Sequence, residues 1–582
     1  MSDAVDDDEV FTRKVVSGIC GALGGTGART SLGTSMERNH STNVLLAVML
    51  NGFARRAEGR PLSDLESAFA DAFARAGFSD AELGEMGRSF SGASQEVRSR
   101  FFPERFAALG AEDSYGRAEL RADLPQLGRD ILATCKNIWP VDASRPVGSL
   151  GNDAGVLEGQ EELVSPGPSA DYLREAREKG WGLVCMGLPA DHPALAAARS
   201  SSAGPYWMSL SYAKCHEESS GEVGKDEPRF SLALCDGSTK RDYTTEELSM
   251  GTGYTRAFEP NRLWTGAVDN GGLATVIDAW EMDTGPGFEK AKIIVDAVLD
   301  ILMAELTMDS WADLVFTFAG EVGGAGLPPQ VVALFAMILT AVREFLQNND
   351  DHVGTYSLLV PEPVLVLQKQ IQDTLRNPPP EGAVRKIAQL TGASEPSVTT
   401  LMATGHYRAY RPVLRYDAGS DGEWEVGFLL LPDSSSQVTG LPARVRLESV
   451  LSGKFATVDP YDDNGPSIRQ QPWGGEPNQR WDLHSLPGNL YRFSSAFSSS
   501  GRGMSIEGPY PGNAPKMRLW SWRNESHQKW RLLPVAQNEY FITSHYRGGA
   551  ISVQAAYTAD GVSLEHHSLQ GDQRQVWRIL GA

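Results

Sequence analysis

Gln479-Arg480-Trp481, Gln528-Lys529-Trp530 and Gln575-Val576-Trp577 are one triplet written three times, with the tryptophans 49 and 47 residues apart. The surroundings recur with it. An opening strand is followed by a turn of small residues (Ser452-Gly453, Ser500-Gly501, Gly548-Gly549), a second strand, a polar loop and a third strand, and only then by the triplet. A repeat of this length marks units that cannot bury their apolar faces alone and must pack against one another. Across 441–582 the strand-like runs are short and broken by Gly, Asn, Pro and Ser. The tail is therefore predicted to be an all-β module of three units.

Pro432–Gly440 separates this tail from a different grammar upstream. Residues 180–284 hold strand-like runs at Trp181–Met186, Tyr206–Cys215, Arg229–Cys235 and Ala274–Glu281. Helical periods follow at Phe288–Met308 and Pro329–Leu346, then a strand at Val353–Val360. Helical pieces at Val364–Arg376 and Gly382–Ala403 and strands at Tyr407–Tyr416 and Trp424–Leu431 close the region. Residues 166–435 thus read as a β-domain with a helical insertion around 288–347. Residues 1–140 read as helical, with capping boxes at Ser63/Glu66 and Ser79/Glu82. Leu65, Phe69 and Phe73 line one helix face, and 141–170 reads as a linker rich in Pro, Gly, Ser and Asp, so that 1–165 forms a helical domain plus linker. The fold class is multidomain α+β.

The 582 residues carry 53 Lys and Arg against 74 Asp and Glu, a net charge of −21. Such a surface repels nucleic acid and favours neutral partners or cations. The 5 cysteines include no CxxC pair, so neither a disulfide framework nor a cysteine-rich zinc site is expected. The opening MSDAVDDDEV lacks the basic region and apolar run of a signal peptide, which gives an expectation of a cytoplasmic protein, possible release from the cell aside. No HExxH or GxSxG motif is present, and the expectation is a non-enzymatic protein.

The three triplets resemble the ricin B-chain-like (R-type) lectins. The resemblance implies a C-terminal β-trefoil over 441–582 in which the three tryptophans meet in the core and the triplet Gln orients a ligand-facing loop. A sugar site needs an aromatic face and polar groups for adjacent hydroxyls. The family's Asp position is Thr457, Ser505 or Ser552 here, a departure that weakens galactose-type recognition. Its aromatic position is Gln471, Trp520 or His567, and the residue before the triplet Gln is Asn478, His527 or Arg574. The middle unit is the best equipped, with Trp520 to stack and Arg518, His527 and Gln528 to hydrogen-bond. Asn478 and Gln479 are candidates in the first unit, where Trp473 is a substitute aromatic, and His567 and Gln575 in the third. Glycans or glycoproteins are the implied partners.

The middle region resembles a C2-like β-sandwich, through Gly224-Lys-Asp-Glu-Pro228, Trp280-Glu-Met-Asp283 and Asn349-Asp-Asp-His-Val-Gly354. That resemblance implies calcium held by Asp226, Glu281, Asp283, Asp350 and Asp351, faced by Glu217 or Glu218. Glu281 replaces the usual Asp, and some 65 residues separate the last two loops, which departs from the family. The apolar run Val331–Val342, with Trp311–Ala319, raises a second reading: a lectin-targeted cytotoxin whose 311–346 hairpin enters membranes, or whose N-terminal domain is the effector. The run is shorter than the roughly 20 residues that span a bilayer. A helix-turn-helix-like stretch at 384–402 and the glycine-rich Gly21–Gly33 are read as structural, because neither has the surroundings its chemistry needs.

Overall fold

The computed structural model describes residues 4–582 except 25–30, 147–162, 190–191, 199–203, 219–225, 237–238, 259–261, 269–271, 282–292, 294–295, 297–328, 347–351, 377–379, 404, 418–421, 460–464, 499–500, 508–514 and 547. The N-terminal part is helical, as its periodicity predicts. Both capping boxes form, with Ser63 and Ser79 accepting from the backbone of Glu66 and Glu82. Helix Val44–Ala57 is the centre of the bundle, and every residue from Val44 to Arg55 is buried. Helix Asp80–Gly92 crosses it at Gly87, where a Cβ would lie 2.2 Å from the Ala54 nitrogen, so only glycine allows this approach.

Helix Pro329–Leu346 completes the same core. Val331–Val342 are at most 3% exposed, and the helix packs on Arg117–Thr134 and Val44–Ala57. Polar groups fix its register: Thr340 donates to Thr42 at 2.8 Å, and Glu344 accepts from Asn39 at 2.8 Å and from Ser35 at 2.9 Å. Of the 311–346 hairpin, the second half is thus the inner wall of the helical core. Its first half, Trp311–Ala319, lies outside the described residues. Among the described residues no helix is long and apolar enough to cross a membrane.

The central module has two facing sheets. Its strands are β1 (Ile138–Asp142), β2 (Trp181–Gly187), β3 (Pro205–Glu217), β4 (Pro228–Cys235), β5 (Lys240–Thr244), β6 (Thr255–Ala257), β7 (Arg262–Ala267), β8 (Gly272–Glu281), β9 (His352–Pro361), β10 (Val413–Asp417) and β11 (Glu423–Pro432). The first sheet runs β1-β2-β9-β8-β4-β5, and the second runs β10-β11-β3-β6 with β7 also on β3. Strand β2 is buried on both faces: Leu183 and Cys185 face the helical bundle, while Val184 and Met186 face the second sheet. This gives three layers, helices on sheet on sheet. Two sheets pack face to face. The parallel pairing of β1, β2 and β9 does not follow from the sequence reading, and β1 lies within the segment assigned to the N-terminal domain. The helices Pro380–Thr391 and Glu395–Ala403 bury Ile387, Val398 and Leu401 in this module's core, in keeping with a structural role.

The described residues of the tail form twelve strands: β12 (Arg444–Ser449), β13 (Phe455–Val458), β14 (Ile468–Gln471), β15 (Trp481–Leu486), β16 (Leu490–Ser495), β17 (Gly503–Ile506), β18 (Met517–Trp520), β19 (Trp530–Ala536), β20 (Glu539–Ser544), β21 (Ala550–Val553), β22 (Leu564–His567) and β23 (Val576–Gly581). Six of them close a ring in the order β12-β15-β16-β19-β20-β23 and back to β12. The other six are three hairpins, β13-β14, β17-β18 and β21-β22. Bridges Ser467–Arg518, Arg469–Ser563 and Lys516–Glu565 join the hairpins pairwise into a triangular cap. The module is a three-lobed barrel, with Trp481, Trp530 and Trp577 fully buried in its core.

The third lobe is docked on the second sheet of the central module. Leu533, Phe541, Ala550, Leu569 and Val576 share one apolar cluster with Trp207, Ala409, Leu429 and Leu431. Ser211 donates to the Leu569 carbonyl at 2.9 Å, Ser568 donates to the Ser211 carbonyl at 2.8 Å, and Arg408 pairs with Glu539 at 3.0 Å.

Two outcomes are expected. Burial pushes the Glu344 carboxyl up to about 7 from its ordinary 4.5. Its ionisation therefore removes stability as pH rises through this window, by roughly 3 kcal/mol at most. Glu344→Gln should match the parent in denaturant unfolding at pH 5 and exceed it at pH 8. Leu569→Ala should lower stability by about 2–4 kcal/mol in the same measurement, the usual cost of emptying a buried leucine site.

Candidate functional site

Each lobe places its triplet in one way. The indole N–H donates to a second-strand carbonyl: Trp481 to Ala456 at 3.1 Å, Trp530 to Met504 at 3.2 Å and Trp577 to Ile551 at 2.8 Å. The preceding glutamine holds the loop after the third strand. Gln479 donates to the Pro472 carbonyl and accepts from Gly474 at 2.6 Å. Gln528 donates to the Ser521 carbonyl and accepts from Arg523, both at 2.8 Å. Gln575 donates to the Ser568 carbonyl and accepts from Gln570, both at 2.7 Å. All three glutamines are at most 3% exposed. The expectation that Gln479, Gln528 and Gln575 touch ligand is corrected: both ends of each amide are spent on the protein's own loop.

Phe497, Trp520, Tyr546 and Tyr557 are the exposed aromatics among the described residues of this module, and Trp520 is the one at the position where the sequence expects a stacking ring. Trp520, the last residue of β18, is 39% exposed. One side of its indole rests on the first lobe, where a Cβ on Gly465 would lie 3.1 Å from the ring. Gly465 has φ +92°, a conformation suited to glycine, and it brings backbone against the indole. The sequence reading missed this residue, whose only local sign is the Asn464-Gly465 turn. His527 is partly exposed and lies 3.3 Å from the Glu525 carboxylate. Arg518 is not a free donor. Its guanidinium pairs with Glu507 at 2.8 Å and donates to Ser467 at 2.5 Å, tying lobe two to lobe one.

The other two lobes are less open. In lobe one Asn478 is half-buried and donates to the Val458 carbonyl at 3.0 Å. Trp473 packs on Phe455 at 5.0 Å between ring centres, under the Arg446 guanidinium. In lobe three the loop held by Gln575 is the one seated on the central module. A Cβ on Gly571 would lie 2.3 Å from Leu429, and Arg574 pairs with Asp572 at 2.9 Å. His567, the last residue of β22, is half-buried.

The acidic set of the central module does not gather among the described residues. Asp226 is buried and accepts from the Trp424 indole at 3.2 Å. Glu217 is exposed at the end of β3, and Glu281 ends β8. Asp283, Asp350 and Asp351 lie outside the described residues. Among the described residues no three His, Cys, Asp or Glu come together as metal ligands.

No protein-family model matches the chain, and no curated protein does. Solved structures similar to part of it include ThreeFoil, a designed threefold-symmetric protein, at 25% identity over 24% of this chain and 100% of that one, with a TM-score of 0.23. The ricin B-like lectin of Macrolepiota procera, solved with lactose, is 18% identical over 25% of this chain and 99% of its own, with a TM-score of 0.21. The C-half of the earthworm R-type lectin, solved with GalNAc, is 16% identical over 24% and 100%, with a TM-score of 0.19. The three-lobed arrangement itself rests on the strand pairing.

Replacing Gln528 by leucine should lower stability by about 2–3 kcal/mol in denaturant unfolding, because it leaves the Arg523 N–H and the Ser521 carbonyl without their partner. Gln479→Leu and Gln575→Leu should cost about as much, a uniformity that a role in ligand contact at one lobe would not give.

Proposed function

We propose that this chain is a glycan-binding protein whose C-terminal module is a ricin B-like β-trefoil lectin. The observation that carries this reading is Trp520: a large aromatic face left open in water, backed on one side by the Gly465 backbone and set on a rigid hairpin. Burying an exposed indole against the C–H face of a sugar ring is the favourable term in such sites, and polar neighbours then fix orientation. His527, partly exposed on lobe two, is the candidate polar group. Lobe three does not take part, because its loop is seated on the central module. The reading is of a binding protein and not an enzyme, with the helical and central modules as the body that the lectin module positions. The cytotoxin reading draws no support from helix Pro329–Leu346, which is committed to the core.

A glycan array probed with the parent chain and with Trp520→Ala tests this. The parent should bind a defined subset of glycans, and the variant should lose at least tenfold in affinity for all of them while melting like the parent. Titration calorimetry on the best hit should give one strong site per chain, and His567→Ala should leave it unchanged. Equal binding by parent and Trp520→Ala would move the site elsewhere, and no glycan bound at all would reject the reading.

A further inference from the structure

Cys135 and Lys179 meet where the helical bundle passes into the central module. Cys135 caps the C-terminus of the helix Arg117–Thr134, just ahead of β1. Lys179 ends the helix Ala170–Lys179, just ahead of β2. The parallel pairing of β1 with β2 brings these two approaches side by side. Gly180, left-handed at φ +70°, closes the second helix, and Asn39 of the bundle donates to the Lys179 carbonyl at 3.2 Å. With the backbone pinned from both sides, the lysine Nζ lies 3.2 Å from the Cys135 sulfur.

Neither group has an ordinary setting. Sheltering an ammonium from water is costly unless partners replace its hydration. Lys179 has two such partners, the Glu175 carboxylate at 3.0 Å, one helical turn back, and the cysteine sulfur. The sulfur is also flanked by hydroxyls, Ser41 Oγ at 3.7 Å and Thr134 Oγ1 at 3.9 Å. Cys135 is buried, but shallowly. Its chain neighbours Thr134 and Lys136 are exposed, and the Lys179 and Glu175 side chains keep 10% and 17% of their surface in water. A polar, cationic site at the edge of solvent is where cysteines react. Cys185 is the opposite case, fully buried in the apolar core, where burial pushes its thiol up.

We infer that Cys135 and Lys179 are a reversible oxidation site, at which a hydroperoxide oxidises the thiol to a sulfenic acid and the lysine amine condenses with it to a sulfur–nitrogen bond. In the first step the sulfur takes one oxygen of the peroxide. The O–O bond breaks, the sulfur is oxidised by two electrons, and with hydrogen peroxide the second oxygen leaves as water. In the second step Glu175 takes a proton from the ammonium and the freed nitrogen pair attacks the sulfur. The S–O bond breaks, and the hydroxyl leaves as water with a further proton from the nitrogen. One peroxide is consumed and the protein loses two hydrogens. Sulfenic acids condense in this way with nearby nitrogen, and 3.2 Å is already an attack distance. A thiol reductant reverses the step by attacking the sulfur and returning the amine. The bond closes the stretch 136–178, which holds β1, into a covalent loop and ties the end of a bundle helix to the entry of β2. Closing such a loop stabilises the fold by restricting the unfolded chain.

The test treats the full chain with hydrogen peroxide and follows it by intact mass, peptide mapping and thermal melting. The parent should lose two hydrogens, yield the Cys135 and Lys179 peptides joined as one, and melt several degrees higher. Dithiothreitol should undo all three changes. Lys179→Arg, whose guanidinium is a poor nucleophile, should keep added oxygen on Cys135 with no joined peptide and no rise in melting temperature. Cys135→Ser should show neither the joined peptide nor the rise. If a variant fails to fold, the joined peptide of the parent and its reversal decide the matter. Oxygen added at Cys135 of the parent without joining, a Cys135 left unmodified while another cysteine oxidises, or a joined peptide that resists dithiothreitol overturns the inference.

Discussion

A buried indole has one N–H, and inside a dry core that donor must find an acceptor or cost the molecule a hydrogen bond. The three-lobed barrel is arranged around three such donors. Each tryptophan of the repeat reaches a carbonyl of the second strand of its own lobe, and this contact fixes where the second strand lies against the ring. The adjacent glutamine then satisfies the backbone of the loop that would otherwise stand open between the third strand and the ring. The local geometry of every lobe follows from these two residues, which is why they recur while their neighbours drift.

The drift is where the molecule gains its individuality. With the frame held by the core, the outer positions are free to differ. One lobe carries Phe541 and Leu569 and adheres to a sheet of the central module. Another carries Trp520 on its surface. Arg518 shows how tightly these choices are coupled: it has the chemistry of a ligand donor, yet it is spent joining two lobes through Ser467 and Glu507. A similar division runs through the N-terminal half, where the helix Pro329–Leu346 joins helices more than 200 residues away by way of Thr340 and Glu344.

What could be read from the chain was whatever depends on local pattern. The helix Pro329–Leu346, the strand at Trp181–Gly187 and both capping boxes appear where periodicity and capping chemistry put them. The triplets located the three tryptophans of the core. The rest depends on partners distant in sequence. The burial of lobe three comes from Ser211 and Leu429 meeting Ser568 and Leu569, and no local pattern links those segments. The parallel pairing of β1 with β2 falls across a stretch read as linker. The hydrogen-bonding capacity of the triplet glutamines is visible in a sequence, whereas the backbone groups that use it up are not.

The seam between the third lobe and the central sheet also fixes how the barrel is presented to its surroundings. Because that lobe is clamped by an apolar cluster and an ion pair, and does not swing on a free tether, the opposite flank of the barrel points in one direction relative to the rest of the body. On the proposed lectin reading, two chains engaging neighbouring glycans would align as whole particles. Any gain from simultaneous engagement depends on that geometry and not on the reach of a flexible linker.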